Sequence, residues 1–229
     1  MRKLALAAIA GMLIGAAAVA AVASSAVRVV RATPARDQLS PGSLKHPQGV
    51  KLTAGLSWTG LSPATAPAVT RVELWFPAGS LYNGASYPSC SYDRLNAAGP
   101  DACPKGSIMG SGTGTAFADT VVTRPRITVV NGGGTRVYFY TVLNNPARVQ
   151  VPVIGYVNRL RGTFAYHLSA TIPPLLRVVA GVPIKFTGLQ ISAGHGTWLA
   201  VTAPPSGIKL VTTFSDGTKI TGTVLVHNA

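Results

Sequence analysis

The side chains with which this chain could do chemistry are few: two cysteines, four histidines and six carboxylates among 229 residues. Cys90 and Cys103 enclose Asp93, Asn96, Gly99, Pro100 and Asp101, a loop composition. In a chain carrying an export signal, two cysteines at that spacing predict one structural disulfide. Closing a loop of about 14 residues contributes roughly 3 kcal/mol through the entropy of the unfolded chain. A thiol nucleophile would need a His or Lys to lower its pKa, and a metal pair would need two more soft ligands. No motif supplies them. Cys90 and Cys103 are therefore assigned to a bond, and no catalytic, cofactor or metal residue is assigned.

Glycosidases set two carboxylates across the scissile bond. Glu73 is the only Glu and shares an expected strand face with Arg71. Asp93 and Asp101 fall in the cysteine loop, Asp216 in a turn and Asp37 in an N-terminal arm, which leaves Asp119 alone. Neither a carboxylate pair nor a calcium cluster of oxygen ligands is indicated. His46, His167, His195 and His227 are scattered. The stretch Ala193-Gly-His-Gly-Thr invites comparison with peptidoglycan L,D-transpeptidases, whose catalytic Cys follows the histidine motif. Here both cysteines precede His195, which removes that reading.

Gly106-Ser107-Ile108-Met109-Gly110 misplaces the Ser of a hydrolase elbow. Lys105 precedes its glycine, so no phosphate loop forms, and Thr115 stands where a dinucleotide fingerprint needs its third Gly. The stretch reads as a turn leading into a strand of small residues.

Elements must position these side chains. Met1-Arg-Lys opens 24 uncharged residues, Leu4–Val27, closed by small residues around Ala23 and Ala26. This predicts a secretory signal over 1–26, with an uncleaved membrane anchor as the rival. Residues 27–49 carry Arg28, Arg31, Arg36 and Lys45 among prolines and read as a basic arm. From residue 50 to 229 the period becomes two, as a half-buried strand requires. Val72, Leu74 and Phe76 fall on one face, Arg71, Glu73 and Trp75 on the other. Phe164, Tyr166, Leu168, Ala170 and Ile172 alternate with polar partners, His167 among them. Further strands are expected at 51–57, 126–130, 136–143, 149–157, 184–191, 197–202, 208–214 and 219–226. Asp216-Gly217 between the last two signals a type I′ hairpin. Residues 175–180 could be a strand or a turn of helix, and no convincing helix follows the signal. Roughly nine to eleven strands give one all-β domain, expected as a two-sheet antiparallel sandwich of jelly-roll type.

Cys90, then Cys103-Pro-Lys-Gly-Ser-Ile-Met-Gly-Ser-Gly-Thr, resembles a pattern in secreted β-rich proteins of high-GC actinobacteria. Trp198-Leu-Ala-Val-Thr-Ala-Pro and Phe214-Ser-Asp-Gly are similar to their C-terminal part. Members often carry further cysteines near the positions of Pro204-Pro205 and the C-terminus, where this chain has none. The resemblance implies a secreted all-β protein and adds no catalytic residue.

Twenty Lys and Arg against six acids give a formal net charge of +14. Such a field attracts anionic polymers and lipid surfaces. Arg124 and Arg126 flank Pro125, and Arg159 and Arg161 would share a face if strand-like. No nucleic-acid motif is present. Trp58, Trp75 and Trp198 could stack on a glycan or pack within the sheet. The expected function is noncatalytic: a secreted or envelope-associated binding or structural module for an anionic polymer, glycan or surface, without cofactor. A membrane enters only through an uncleaved N-terminus. The alternative is a secreted hydrolase with a dispersed active site.

Overall fold

The computed structural model describes residues 25–26, 31–34, 43, 45–58, 66–203, 207–224 and 227–228. Residues 1–24 of the expected signal peptide and most of the basic arm lie outside the described residues, while Ser25–Ala26 pairs with residues 57–58. The chain runs through β1 (Gln48–Trp58), β2 (Val69–Pro77), β3 (Ser80–Tyr82), α1 (Tyr92–Ala98) and β4 (Ile108–Ala118). It continues through β5 (Val121–Thr123), β6 (Arg126–Asn131), β7 (Arg136–Leu143), β8 (Val149–Arg159) and β9 (Phe164–Thr171). Then come α2 (Pro174–Arg177), β10 (Val178–Val179), β11 (Val182–Ala193), β12 (Leu199–Val201), β13 (Ile208–Phe214) and β14 (Lys219–Val224).

The long strands pair antiparallel in the order β14-β13-β2-β9-β8-β7-β6-β4-β11-β1. Short strands extend the ends: β12 bridges β1 and β3, β5 folds onto β4, and β10 onto β11. Within the expected arm, Arg31–Pro34 pairs with β1. Among the described residues no ladder joins β1 to β14, so the sheet is open. It nevertheless curls far enough to face itself. Ile208 of β13 packs with Leu52 and Ala54 of β1 and with Leu74 and Phe76 of β2, although β1 and β13 lie near opposite ends of the ladder. Alternation in the sequence tells which face of a strand is buried, not which strand lies across from it. The all-β antiparallel class was readable for that reason, while the path of the single sheet was not.

The alternating sets fall as expected except for Phe164, which a register shift separates from Tyr166 and which does not line the interior. Val72, Leu74, Phe76, Tyr166, Leu168, Ala170 and Ile172 turn to the common interior, and cross-strand pairing puts His167 beside Trp75 and Ser169 beside Glu73 on the outer face. β7 is different because it is covered twice. Val137 and Phe139 face the interior, while Tyr138 and Tyr140 pack outward against Cys90, Leu95 and Val130.

The outer cover is the cysteine loop, and it corrects the expectation of no helix after the signal. α1 forms inside it. Ser91 caps the helix by accepting from the Arg94 N–H at 3.3 Å, Asp93 sits in the first turn, and Gly99 closes it at φ 74°. A seven-residue helix anchored by one buried residue, Leu95, is too short to show a 3.6-residue period, and it persists through packing rather than propensity. Residues 175–180 turn out to contain both alternatives, the single turn α2 and then β10. The hairpin at Asp216-Gly217 also differs in type. Only Gly217 has a positive φ, 84°, and its N–H bonds Phe214 O at 3.1 Å. That geometry belongs to a three-residue loop with one left-handed residue, not to type I′.

In β4, glycines let two strands approach. A Cβ at Gly110 or Gly112 would collide with the backbone carbonyl of Ser192 or Gln190 in β11. This is the small-residue strand that the sequence suggested.

The curled sheet borders an apolar cavity of about 200 Å³ that is partly open to solvent. Its lining reaches from Leu56, Phe186 and Leu176 to Leu81, Trp198 and Val201. Inward-facing Leu74, Phe76 and Ile191 keep part of their surface uncovered.

Candidate functional site

The outer face of β2, β9 and β13 gathers the polar residues singled out by type. Register sets His167, Trp75 and Lys209 in one row across three strands. The His167 ring stacks on Trp75 at 4.5 Å and 19°, and Lys209 Nζ lies 5.0 Å from the indole centroid. Since β9 and β13 flank β2 on opposite sides, both faces of the indole are taken. Trp75 is therefore sheet-face packing and offers no stacking platform. Trp198 is buried at 2% exposure, and the side chain of Trp58 lies outside the described residues.

One residue along, Glu73 Oε1 is 3.1 Å from His167 Nε2 and 3.3 Å from Arg71 Nη2. Arg71 also donates to Ser169 Oγ at 2.8 Å. Ser, His and a carboxylate thus lie close together, but the wiring is not that of a nucleophile. A reactive hydroxyl gives its proton to the base. Here Ser169 accepts from a guanidinium, and the interior cavity opens on the other face of the sheet. The cluster is an ion-pair and stacking lattice that knits three strands.

At the end of the sheet where β3 and β12 cross, Asn131 forms a buried node between the strands expected at 126–130 and 136–143. Its Nδ2 is 2.9 Å from Gly84 O, 3.0 Å from Pro88 O and 3.2 Å from Tyr87 O. Its Oδ1 accepts from Trp198 Nε1 and the Gly133 N–H, each at 3.2 Å. Tyr82 Oη reaches Gly133 O at 2.7 Å and Arg136 O at 2.9 Å. Burial pushes the Tyr82 phenol far above its ordinary 10.0. A fully satisfied network of this kind fixes geometry. His195 sits on the exposed loop beside it, edge-on to Tyr87 at 6.1 Å, with no carboxylate among its described contacts. His46 is exposed near Ser43, and the side chain of His227 lies outside the described residues.

The opposite end of the sheet is basic and apolar. Arg126 opens β6 and pairs with Val142, next to the β7–β8 loop that carries Arg148. Arg124 precedes it, and all three side chains are exposed. At the same end Val121 and Val122 of β5 are 55% and 51% exposed, and Leu175 and Val178 of the α2–β10 turn are 63% and 52% exposed. Asp119 is the acid nearest in sequence, exposed at the tip of the β4–β5 turn. Small scattered apolar exposures are ordinary, whereas apolar tips rimmed by cations mark interaction surfaces. Val121-Val122 and Leu175-Leu176 are doublets that break the alternation, a faint sign of such a surface. Arg159 ends β8 and Arg161 lies beyond it, so the two do not share a strand face.

Cys90 and Cys103 are bonded, with Cα atoms 5.3 Å apart. Among the described residues no cluster of three metal-ligating side chains occurs, and no helix is long and apolar enough to cross a membrane. Compared with protein-family models, with curated proteins and with solved structures, the chain matches none.

Proposed function

We propose that this protein is a secreted, noncatalytic binding module that holds to anionic polymer or surface of a bacterial envelope. The observation that carries the reading is the sheet end that holds exposed Arg124, Arg126 and Arg148 together with exposed Val121, Val122, Leu175 and Val178. Cations supply long-range attraction that salt screens over about 10 Å at 0.1 M. The apolar tips supply short-range contact, which favours a lipid-bearing surface over a bare polysaccharide. In this reading residues 1–26 direct export and the curled sheet works as the two layers of a jelly-roll-like sandwich. The likeness to actinobacterial secreted proteins supports the same setting. A disulfide is compatible with it, since such bonds persist in oxidising compartments.

The second reading, a secreted hydrolase, rests on the 3.1 Å contact between His167 and Glu73. It lacks a hydroxyl bonded to that histidine. The test is sedimentation of the protein with isolated envelope at low and high salt. Retention at low salt that is lost at high salt supports the module, and passage into the supernatant at both opposes it.

A further inference from the structure

We infer that the interior cavity is a binding site for a single hydrocarbon chain, such as the acyl tail of a fatty acid or lipid. Three observations carry this. The first is shape. The lining follows β1 from Val50 to Leu56, a span of about 20 Å at strand rise, yet the volume is only about 200 Å³. Drug-sized ligands occupy pockets of about 300–1,000 Å³. A long space of small volume fits a linear chain better than a ring system.

The second observation is chemistry. Three of the five polar side chains that border the cavity are engaged with protein. Thr141 Oγ1 donates to Phe139 O at 3.1 Å, Trp198 Nε1 donates to Asn131, and Tyr82 Oη reaches two carbonyls. Ser80, where β3 crosses, and Tyr166 carry the remaining hydroxyls in the lining. With so few unengaged polar groups in a lining of Val, Leu, Ile and Phe, the space favours apolar guests, as apolar cavities of about 150 Å³ do.

The third observation is the uncovered inner surface. Tight interiors leave few voids larger than a water, but here inward apolar side chains from β1, β2, β9 and β11 all retain accessible surface. An acyl chain would restore those contacts. At one end of the lining are Pro77 and Ser80. The loop carrying Arg161 is held there, with Ala78 N–H bonding Thr163 O at 3.0 Å. Exposed Arg159 and Arg161 would meet a carboxylate or phosphate head in solvent at that end. The inference does not need the envelope reading, because the site lies on the inner face.

The test uses the full oxidised chain and the fluorescent polyene fatty acid cis-parinaric acid, titrated at low and at high salt. Saturable enhancement near one probe per chain is expected. It should persist at high salt and be displaced by both decanoate and uncharged decanol. Ala54→Phe, with the smaller Ala170→Val as a second filling variant, should weaken the probe about tenfold or more, with circular dichroism reporting that each variant folds. No saturable enhancement, displacement by decanoate alone, loss of binding at high salt, or unchanged affinity in folded filling variants would each overturn the site. Salt-insensitive probe binding beside failed envelope retention would keep the cavity while removing the envelope role.

Discussion

The two halves of the outer face are made from one sheet and differ in what covers them. Over β6, β7 and β8 the disulfide-clipped loop lays α1 on Val130, Tyr138 and Tyr140, and β7 is buried on both sides. Over β2, β9 and β13 the described residues leave an open lattice of Arg71, Glu73, Trp75, His167 and Lys209. Similar aromatic side chains therefore do different work. Tyr138 is 2% exposed and belongs to a small second core, whereas Trp75 is held between a histidine and a lysine in partial contact with water. Covering, more than residue type, decides how much a side chain contributes.

Matching truncations should expose this difference. Tyr138→Ala removes a ring from the covered half and is expected to lower stability by about 4 kcal/mol, in the range for buried aromatics. Trp75→Ala should cost about 1 kcal/mol, because its neighbours stay solvated and surface cation–π contacts are weak. Urea unfolding midpoints of the two variants provide the comparison. Equal losses would mean that the open half is covered too.

Cys103→Ser should lower stability by about 3 kcal/mol. Amide exchange should show protection lost first in 91–99, with β2 and β9 little changed. Loss of protection spread evenly over both halves would contradict a local clip.

The two halves also explain what could be read from the sequence. β2 and β9 alternate because one face meets the core and the other meets solvent, so the inward residues of β2 and those of β9 from Tyr166 onward are legible in the sequence, while the register shift that sets Phe164 apart is not. β7, Arg-Val-Tyr-Phe-Tyr-Thr-Val-Leu, reads as a continuous apolar run because both faces are covered. Its strand was legible and its second neighbour was not. α1 left only local marks, Ser91, Asp93 and Gly99, in a stretch that otherwise reads as loop. The Asn131 node was illegible for another reason. Its partners Gly84, Tyr87, Pro88 and Trp198 come from distant segments, and its side chain is identical in type to any turn asparagine. Glu73 and His167 were placed on the polar face, but their meeting depends on β2 pairing with β9, which alternation does not specify.

Smaller effects sharpen the picture. At the buried node, Tyr82 titrates far above 10.0 when folded, chiefly because burial disfavours the phenolate. An unfolded tyrosine ionises near 10, so the contribution is complete below about pH 10 and is lost as pH rises toward the folded value. Alkaline unfolding should therefore set in at higher pH for Tyr82→Phe, relative to its own stability at pH 8, than for the wild type. On the open half, Glu73→Gln should change stability by no more than about 1 kcal/mol, read from the same urea midpoints. A loss several times larger would make the Arg71–Glu73–His167 lattice a structural keystone.

The claim that the protein holds to anionic surfaces through one end of its sheet is tested most directly by vesicle sedimentation of three proteins. These are the wild type, Arg124→Gln/Arg126→Gln/Arg148→Gln, and Arg94→Gln/Lys105→Gln, which neutralises cations in and just after the cysteine loop. On vesicles containing anionic lipid at low salt, the account predicts retention of the wild type and the loop variant and release of the triple variant, with none of them held by neutral vesicles. Equal retention of all three, or equal retention on neutral lipid, would contradict it.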